Sequence, residues 1–202
     1  MEPTGPLVPA YPATFEADTP ERIANWRPLV HWLLAIPHAI VLYVLGIISG
    51  VVSLISWFAI VFTGKLPEGL AGLQALYIRY TNRYSVYVYF MREEYPPFTF
   101  ETVATDPGDD PGVRTTVVPE LEDRNRLTTG FRFILVIPHM IVLALLGIAA
   151  VFAWIIGFFA VLFTGHWPAG VQEFVVGVLR WSTRVAAYYT LLTDEYPPFS
   201  LD

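Results

Sequence analysis

The chain contains no cysteine, which removes disulfide staples and thiolate metal ligands from consideration and is compatible with a cytoplasm-facing protein. Catalytic constellations are equally scarce. There is no Ser/His/Asp set, no carboxylate pair in an apolar setting and no cluster of metal-ligating side chains, so an enzyme is not expected, and no cofactor or metal is. The glycines of FTGKLPEG at Phe62–Gly69 do not make a phosphate loop, because the Gly-Lys-Ser/Thr ending and the preceding strand are missing. The start, MEPTGPLVPAYPATFEADTPE, lacks a basic patch followed by an apolar stretch and does not read as a cleaved signal peptide. A formal net charge of −6, carried largely by the tails and linker, argues against a nucleic-acid partner. Charge is missing altogether from two long windows: Leu29–Phe62 and Phe133–Phe163 hold no Asp, Glu, Lys or Arg.

What the chain does have, it has twice. IPHAIVL at Ile36–Leu42 returns as IPHMIVL at Ile137–Leu143, FTGKLPEG as FTGHWPAG at Phe163–Gly170, and EYPPFTF at Glu94–Phe100 as EYPPFSL at Glu195–Leu201. All three pairs share one offset of 101 positions, and 26 of the 73 aligned positions from Trp26 to Phe98 are identical without a gap. The organisation is therefore a soluble N-terminal arm (1–25), membrane repeat one (26–98), an acidic flexible linker (99–126) and membrane repeat two (127–202). The linker core, DPGDDPG at Asp106–Gly112, is punctuated by Pro and Gly and is expected to be a solvated loop. Short β-prone pieces, Thr14–Ala17, Phe98–Val103 and Arg114–Val118, lie in the arm and around the linker core, and two of them are candidates to pair.

Each charge-free window exceeds the roughly 18 apolar residues that suggest a spanning helix. With 54% hydrophobic residues, against roughly 45–50% in soluble domains, the sequence reads as an all-α integral membrane protein, multi-pass in the cell membrane. As one helix, a window of 34 residues would reach about 51 Å at 1.5 Å per residue. Two arrangements are open: a tilted span from His38 to Phe62, or a helical hairpin bending near Gly46–Gly50. Pro37 and Pro138 should start or kink the helix. The Gly of Thr-Gly-x-x-Pro-x-Gly should end it, with Pro near the start of the next helix. The expectation is four membrane-embedded segments, an even number of crossings per repeat, repeats related by an axis along the membrane normal, and termini and linker on the cytoplasmic side.

The third element of each repeat, Glu68–Arg92 or Ala169–Thr193, is rich in Arg and aromatics. Arg79 and Arg83 share one helical face, as do Arg180 and Arg184. An Arg at mid-membrane costs about 2.5–3.5 kcal/mol on insertion scales. An amphipathic helix in the interface avoids that cost, while a spanning helix with the Arg pair packed inward would make an anion path. His38 and His139 occupy equivalent positions after proline. They are candidate axial ligands or proton carriers, but read better as interfacial histidines bonding a freed carbonyl. Glu94 and Glu195 open the EYPPF strings, which stop the preceding helix and anchor its exit, or offer a docking edge. Both acids are candidates to pair with an Arg of the amphipathic helix.

The string Pro-His-x-Ile-Val-Leu, then FTG-x-x-P-x-G, then R-x-x-x-R and EYPPF resembles a family named only as a domain of unknown function, DUF4389, found in bacterial, notably actinobacterial, membrane proteins. The resemblance covers Trp26–Phe98 and Leu127–Phe199. Repeat one departs from the pattern at Tyr80-Thr81-Asn82, where repeat two has Trp181-Ser182-Thr183. The resemblance implies a membrane location and a repeat architecture, and no activity. Three functions are expected in order: a non-enzymatic accessory or scaffold protein of a larger membrane complex; a membrane-shaping or lipid-organising protein; and a small transporter or channel subunit using the paired Arg. The partners implied are the lipid bilayer and other membrane subunits or a second copy.

Overall fold

In a computed structural model, residues 11–202 are described; the Pro-rich start of the arm, residues 1–10, lies outside the described residues. The elements in order are β1 (Ala13–Ala17), α1 (Arg27–Leu34), α2 (Ile36–Thr63), α3 (Glu68–Val88), β2 (Val113–Val117), α4 (Arg126–Gly130), α5 (Arg132–Leu135), α6 (Ile137–Thr164) and α7 (Ala169–Tyr189). The apolar windows are single helices, not hairpins: α2 and α6 run 28 residues each, with Pro37 and Pro138 in their first turns. Their ends are chemically identical. Gly64 and Gly165 take the left-handed conformation, both at φ 75°, and their N–H groups donate to the carbonyls of Ile60 and Val161. Thr63 and Thr164 then accept the N–H of Lys65 and of His166, and Pro67 and Pro168 start α3 and α7.

The repeats are related by a pseudo-twofold axis. Asn82 of α3 donates to Thr183 of α7 at 3.0 Å, and these residues are 101 positions apart, so α3 and α7 cross at equivalent points. The strands obey the same symmetry. β1 pairs antiparallel with β2 in the register Thr14↔Thr116 and Phe15↔Thr115, which the 101-residue offset maps onto itself. Of the three β-prone pieces, the arm and the later linker piece form this sheet, and Phe98–Val103 is irregular and joins no strand. Asn82 also donates to Thr115 at 2.9 Å, tying sheet to crossing. Along the axis the order is sheet, then α3 and α7, then α2 and α6: the sheet packs on α3 and α7, α2 packs on α3, and α6 on α7.

Reciprocal contacts lock the two halves. The N–H of Ile23 donates to the Gly165 carbonyl at 2.8 Å, and its equivalent, Arg124 N–H, to the Gly64 carbonyl at 3.0 Å. The entry segment of each repeat thus clasps the helix end of the other, and α1 packs on α6 while α4 packs on α2. One polar residue beyond each clasp repeats as well: Glu93 receives the Ala24 N–H and Asp194 the Asn125 N–H.

The outer helices are inside-out for a water-soluble fold. The buried stripe of α2 is His38, Ser49, Val52, Ser53, Ser56 and Ile60; that of α6 is His139, Ala150, Ala153, Gly157 and Val161. Large apolar side chains, from Ile40 and Tyr43 to Phe62 and from Ile141 to Phe163, face outward along the whole length. Among the described residues two helical stretches, not four segments, are long and apolar enough to cross a membrane, because α3 and α7 carry buried arginines and polar residues.

The linker lies against α3, and its closest approach needs Gly72, where a Cβ would collide with the Thr102 carbonyl. Gly69, one turn earlier, faces open space. Gly72→Ala is therefore expected to cost about 1–3 kcal/mol through overpacking, while Gly69→Ala stays within about 0.5 kcal/mol of the parent. Thermal unfolding in detergent, followed by circular dichroism, separates the two; equal midpoints would contradict the linker placement.

Candidate functional site: buried arginines and histidine clamps

Arg79 and Arg83 project from α3 into the linker rather than toward open solvent. The Arg79 guanidinium, 2% exposed, donates to the carbonyls of Val103 and Glu101, both at 2.7 Å. Arg83 donates to the Thr99 hydroxyl at 2.6 Å and holds both oxygens of Asp109. Burial, followed by the neighbouring Arg83 charge, pulls the Arg79 guanidinium below its usual range, yet an arginine stays charged. A buried charge is tolerable only when its donors are filled, and here backbone carbonyls fill them. Arg184 repeats the arrangement, donating to the carbonyls of Ser200 and Asp202. Arg180, the counterpart of Arg79, is half-buried beside Tyr11 and Glu16 and has no ion pair among the described residues. Three of the four arginines expected to reach headgroups or line an anion path are instead spent on the chain's own carbonyls and Asp109.

The two histidines each sit in a clamp made by the EYPPF string of the same repeat. The His38 ring stacks on Phe98 with centroids 4.1 Å apart, and the His139 ring on Phe199 at 4.0 Å. Tyr95 and Tyr196 lie 4.7 Å from these rings, and their hydroxyls donate to the carbonyls of Leu34 and Leu135 just before each proline. The tyrosines thus cap carbonyls one residue after Leu33 and Ile134, the positions left without a helical donor by Pro37 and Pro138, and Nδ1 of each histidine is bonded to a side chain, not to a carbonyl. Tyr80 bonds His38 Nδ1 at 2.7 Å, and Trp181 donates to His139 Nδ1 at 3.1 Å. An indole N–H only donates, so His139 Nδ1 accepts and the ring is neutral with its proton on Nε2. Burial pushes the Tyr80 hydroxyl up to about 12, which keeps it protonated at neutral pH. Each imidazole is enclosed within its own repeat, with Nδ1 occupied. Among the described residues no group of three or more metal-ligating side chains occurs.

Glu94 pairs with Arg92, just past α3, at 3.4 Å and is 80% exposed, while the Glu195 carbonyl accepts the Tyr11 hydroxyl at 3.0 Å. Neither acid binds an arginine of the helix. Sequence reasoning missed a second repeated contact, made by His31 in repeat one and by its counterpart Arg132 in repeat two. His31 stacks on Tyr87 at 4.1 Å and bonds its carbonyl; Arg132 sits 3.9 Å over Tyr188 and donates to that carbonyl. The 101-residue offset connects both pairs, and two different side chains do the same job because each offers a flat face and an N–H. Arg132 additionally holds Asp194, the acid of the clasp.

Two acids set the steep acid limb of the pH dependence. Burial would raise Asp109, but hydrogen bonds from Arg83 and Thr99 outweigh it and hold the carboxyl below its ordinary range. Burial would likewise raise Asp194, and Arg124 with the Asn125 N–H lowers it on balance. A folded-state value below the unfolded one means stability that is present at neutral pH, declines below the unfolded value of about 3.9 and is lost once pH falls through the depressed one. The melting midpoint in detergent should decline gently below about pH 6.5, where the unfolded chain protonates His31, His38 and His139 while burial holds them neutral in the fold, and drop steeply below about pH 4. Asp109→Asn should lower the midpoint at pH 7 and shrink the acid-induced drop; an unchanged profile would remove Asp109 from the account.

No curated protein and no solved structure matches the chain. A family model described as a domain of unknown function matches it twice, over residues 25–99 and 126–200. These matches take in both histidine clamps, both arginine pairs and both helix-ending glycines, and the chain belongs to the DUF4389 family as a tandem, two-copy member.

Proposed function

We propose that the protein is a non-enzymatic, lipid-organising wedge that lies in one leaflet of a membrane, with α2 and α6 embedded along its plane and the sheet and linker held above them. The observation that carries this reading is the inside-out character of α2 and α6, whose small and polar residues face inward while large apolar ones face out. Soluble monomers rarely leave contiguous apolar patches above a few hundred Å². The opposite side is polar. The acidic linker follows α3 from Gly72, beneath Thr102, to Arg83, which holds Asp109. Because α2 lies along α3, standing it upright would carry the linker acids into hydrocarbon, where charge is costly. Exposed Trp26, Trp32 and Phe62 near the helix ends suit the bilayer boundary. Helices of this kind settle about 5–10 Å into the headgroup and acyl boundary and expand the leaflet they enter.

A second reading, the accessory subunit of a larger membrane complex, is supported by Gly50 and Gly147. Both leave open space on α2 and α6, where a partner helix could approach closely. The EYPPF strings lend it little, since their aromatic rings are occupied by the clamps.

Reconstituted into liposomes of about neutral lipid at high protein-to-lipid ratio, the protein should reduce vesicle diameter or draw tubules, read by light scattering and electron microscopy. Ile47→Asp with Ile148→Asp, on the exposed face, should abolish co-flotation with liposomes while preserving the helical circular dichroism signal. Unchanged vesicle diameter with full membrane binding would overturn the shaping role; co-flotation of the double variant would overturn the embedded face.

A further inference from the structure

The pseudo-twofold symmetry is broken on the apolar face. Beside the axis, between the two repeats, lies a cavity of about 320 Å³, at the small end of the range for small-molecule sites. Gly50 and Ser53 line it from α2, Tyr77 from α3, Met140 from α6, and Ser182 with Val185 from α7. The counterparts of Gly50 and Ser53 are Val151 and Trp154. Trp154 fills the equivalent space, donating to the Val88 carbonyl at 3.0 Å and packing on Phe90. The opening is thus a property of repeat one alone. Exposed Gly50 and half-exposed Met140 place its mouth on the outward apolar face.

The wall carries hydroxyls and no charge. Fully buried Gln74 reaches in from α3 and donates to Ser53 Oγ at 2.9 Å and to the Ser49 carbonyl at 2.9 Å. Ser53 therefore already accepts, and its own proton has no acceptor among the described residues. The hydroxyls of Tyr77 and Ser182, on the same cavity, have no hydrogen-bond partner there either. Three uncommitted O–H donors around an apolar slot match a ligand with an apolar body and neutral oxygen acceptors. They do not match a phosphate or a carboxylate, which would need cationic partners.

We propose that this cleft binds one bilayer glycerolipid by an acyl chain, its ester carbonyl accepting from Ser53, Tyr77 or Ser182. The proposal rests on the reading that α2 and α6 face lipid. Seating a single chain beside the axis would fill the void between the repeats and make the assembly sensitive to acyl composition.

The probe is phosphatidylcholine with a diazirine in one acyl chain, reconstituted with the full protein, irradiated, and mapped by mass spectrometry. Adducts should concentrate on Ser49–Ser53 and Ser182–Ala186, several-fold above the equivalent stretch Ala150–Trp154. Gly50→Leu, which enters open space and improves helix propensity, should remove the cleft adducts while those on Leu54 and Phe62 persist. Adducts on the outer face with no excess in the cleft, or a cleft excess unmoved by Gly50→Leu, would overturn the lipid site alone. The absence of adducts on Leu54 and Phe62 would overturn the embedded face and the site with it.

Discussion

Arg79 and Arg83 lie on the inner side of α3, and once buried their guanidinium groups must find acceptors. The linker supplies these through the carbonyls of Glu101 and Val103 and the carboxylate of Asp109. That requirement orders what would otherwise be a solvated Pro/Gly-rich loop and stretches it along the helix. With the linker fixed, the sheet forms over the α3/α7 crossing, and α2 and α6 are left on the opposite side. Their outward faces are apolar from end to end, so the proposed disposition follows from where the arginines find their partners.

The tandem is more than two copies joined by a string. Each repeat supplies the clasp that closes the other: Ile23 on Gly165, and Arg124 on Gly64. A single repeat would leave its helix-end carbonyl without the N–H that the other repeat supplies, while Glu93 and Asp194 would keep the N–H groups of Ala24 and Asn125 in their own entry segments. The symmetry fixes the scaffold, and its local failures create differences. Trp154 stands where Ser53 does, and Val175 where Gln74 does, so one half of the apolar face is filled and the other is open.

Much of this was legible in the sequence. The constant offset of 101 residues located both repeats and the glycine ends of α2 and α6, because these depend on local chemistry repeated without gaps, while β-prone composition offered three candidate strands without saying which two pair. The EYPPF and Pro-His strings were each visible, but not that they meet, since Phe98 reaches His38 only after α3 has turned the chain back. The fate of the Arg pair was also hidden. An arginine four residues from another predicts a shared face, not what covers that face, and the covering segment is an irregular loop whose carbonyls leave no pattern in composition. The nature of α3 and α7 was hidden for the same reason: the apolar runs pointed to α2 and α6 by composition alone, whereas the burial of polar groups in α3 and α7 is a tertiary property.

The central claim is that the two ends of each apolar helix lie on one side of the bilayer. Glu94 stands beside the start of α2, where Tyr95 caps Leu34, and Lys65 follows its end. Single-cysteine variants at Glu94, Lys65, His166 and Asp109 in this cysteine-free chain can be labelled with an impermeant thiol reagent in intact cells and in inverted vesicles. The account predicts that all four label from the same face. Labelling of Glu94 and Lys65 sites from opposite faces would mean that α2 crosses the membrane, and would contradict it.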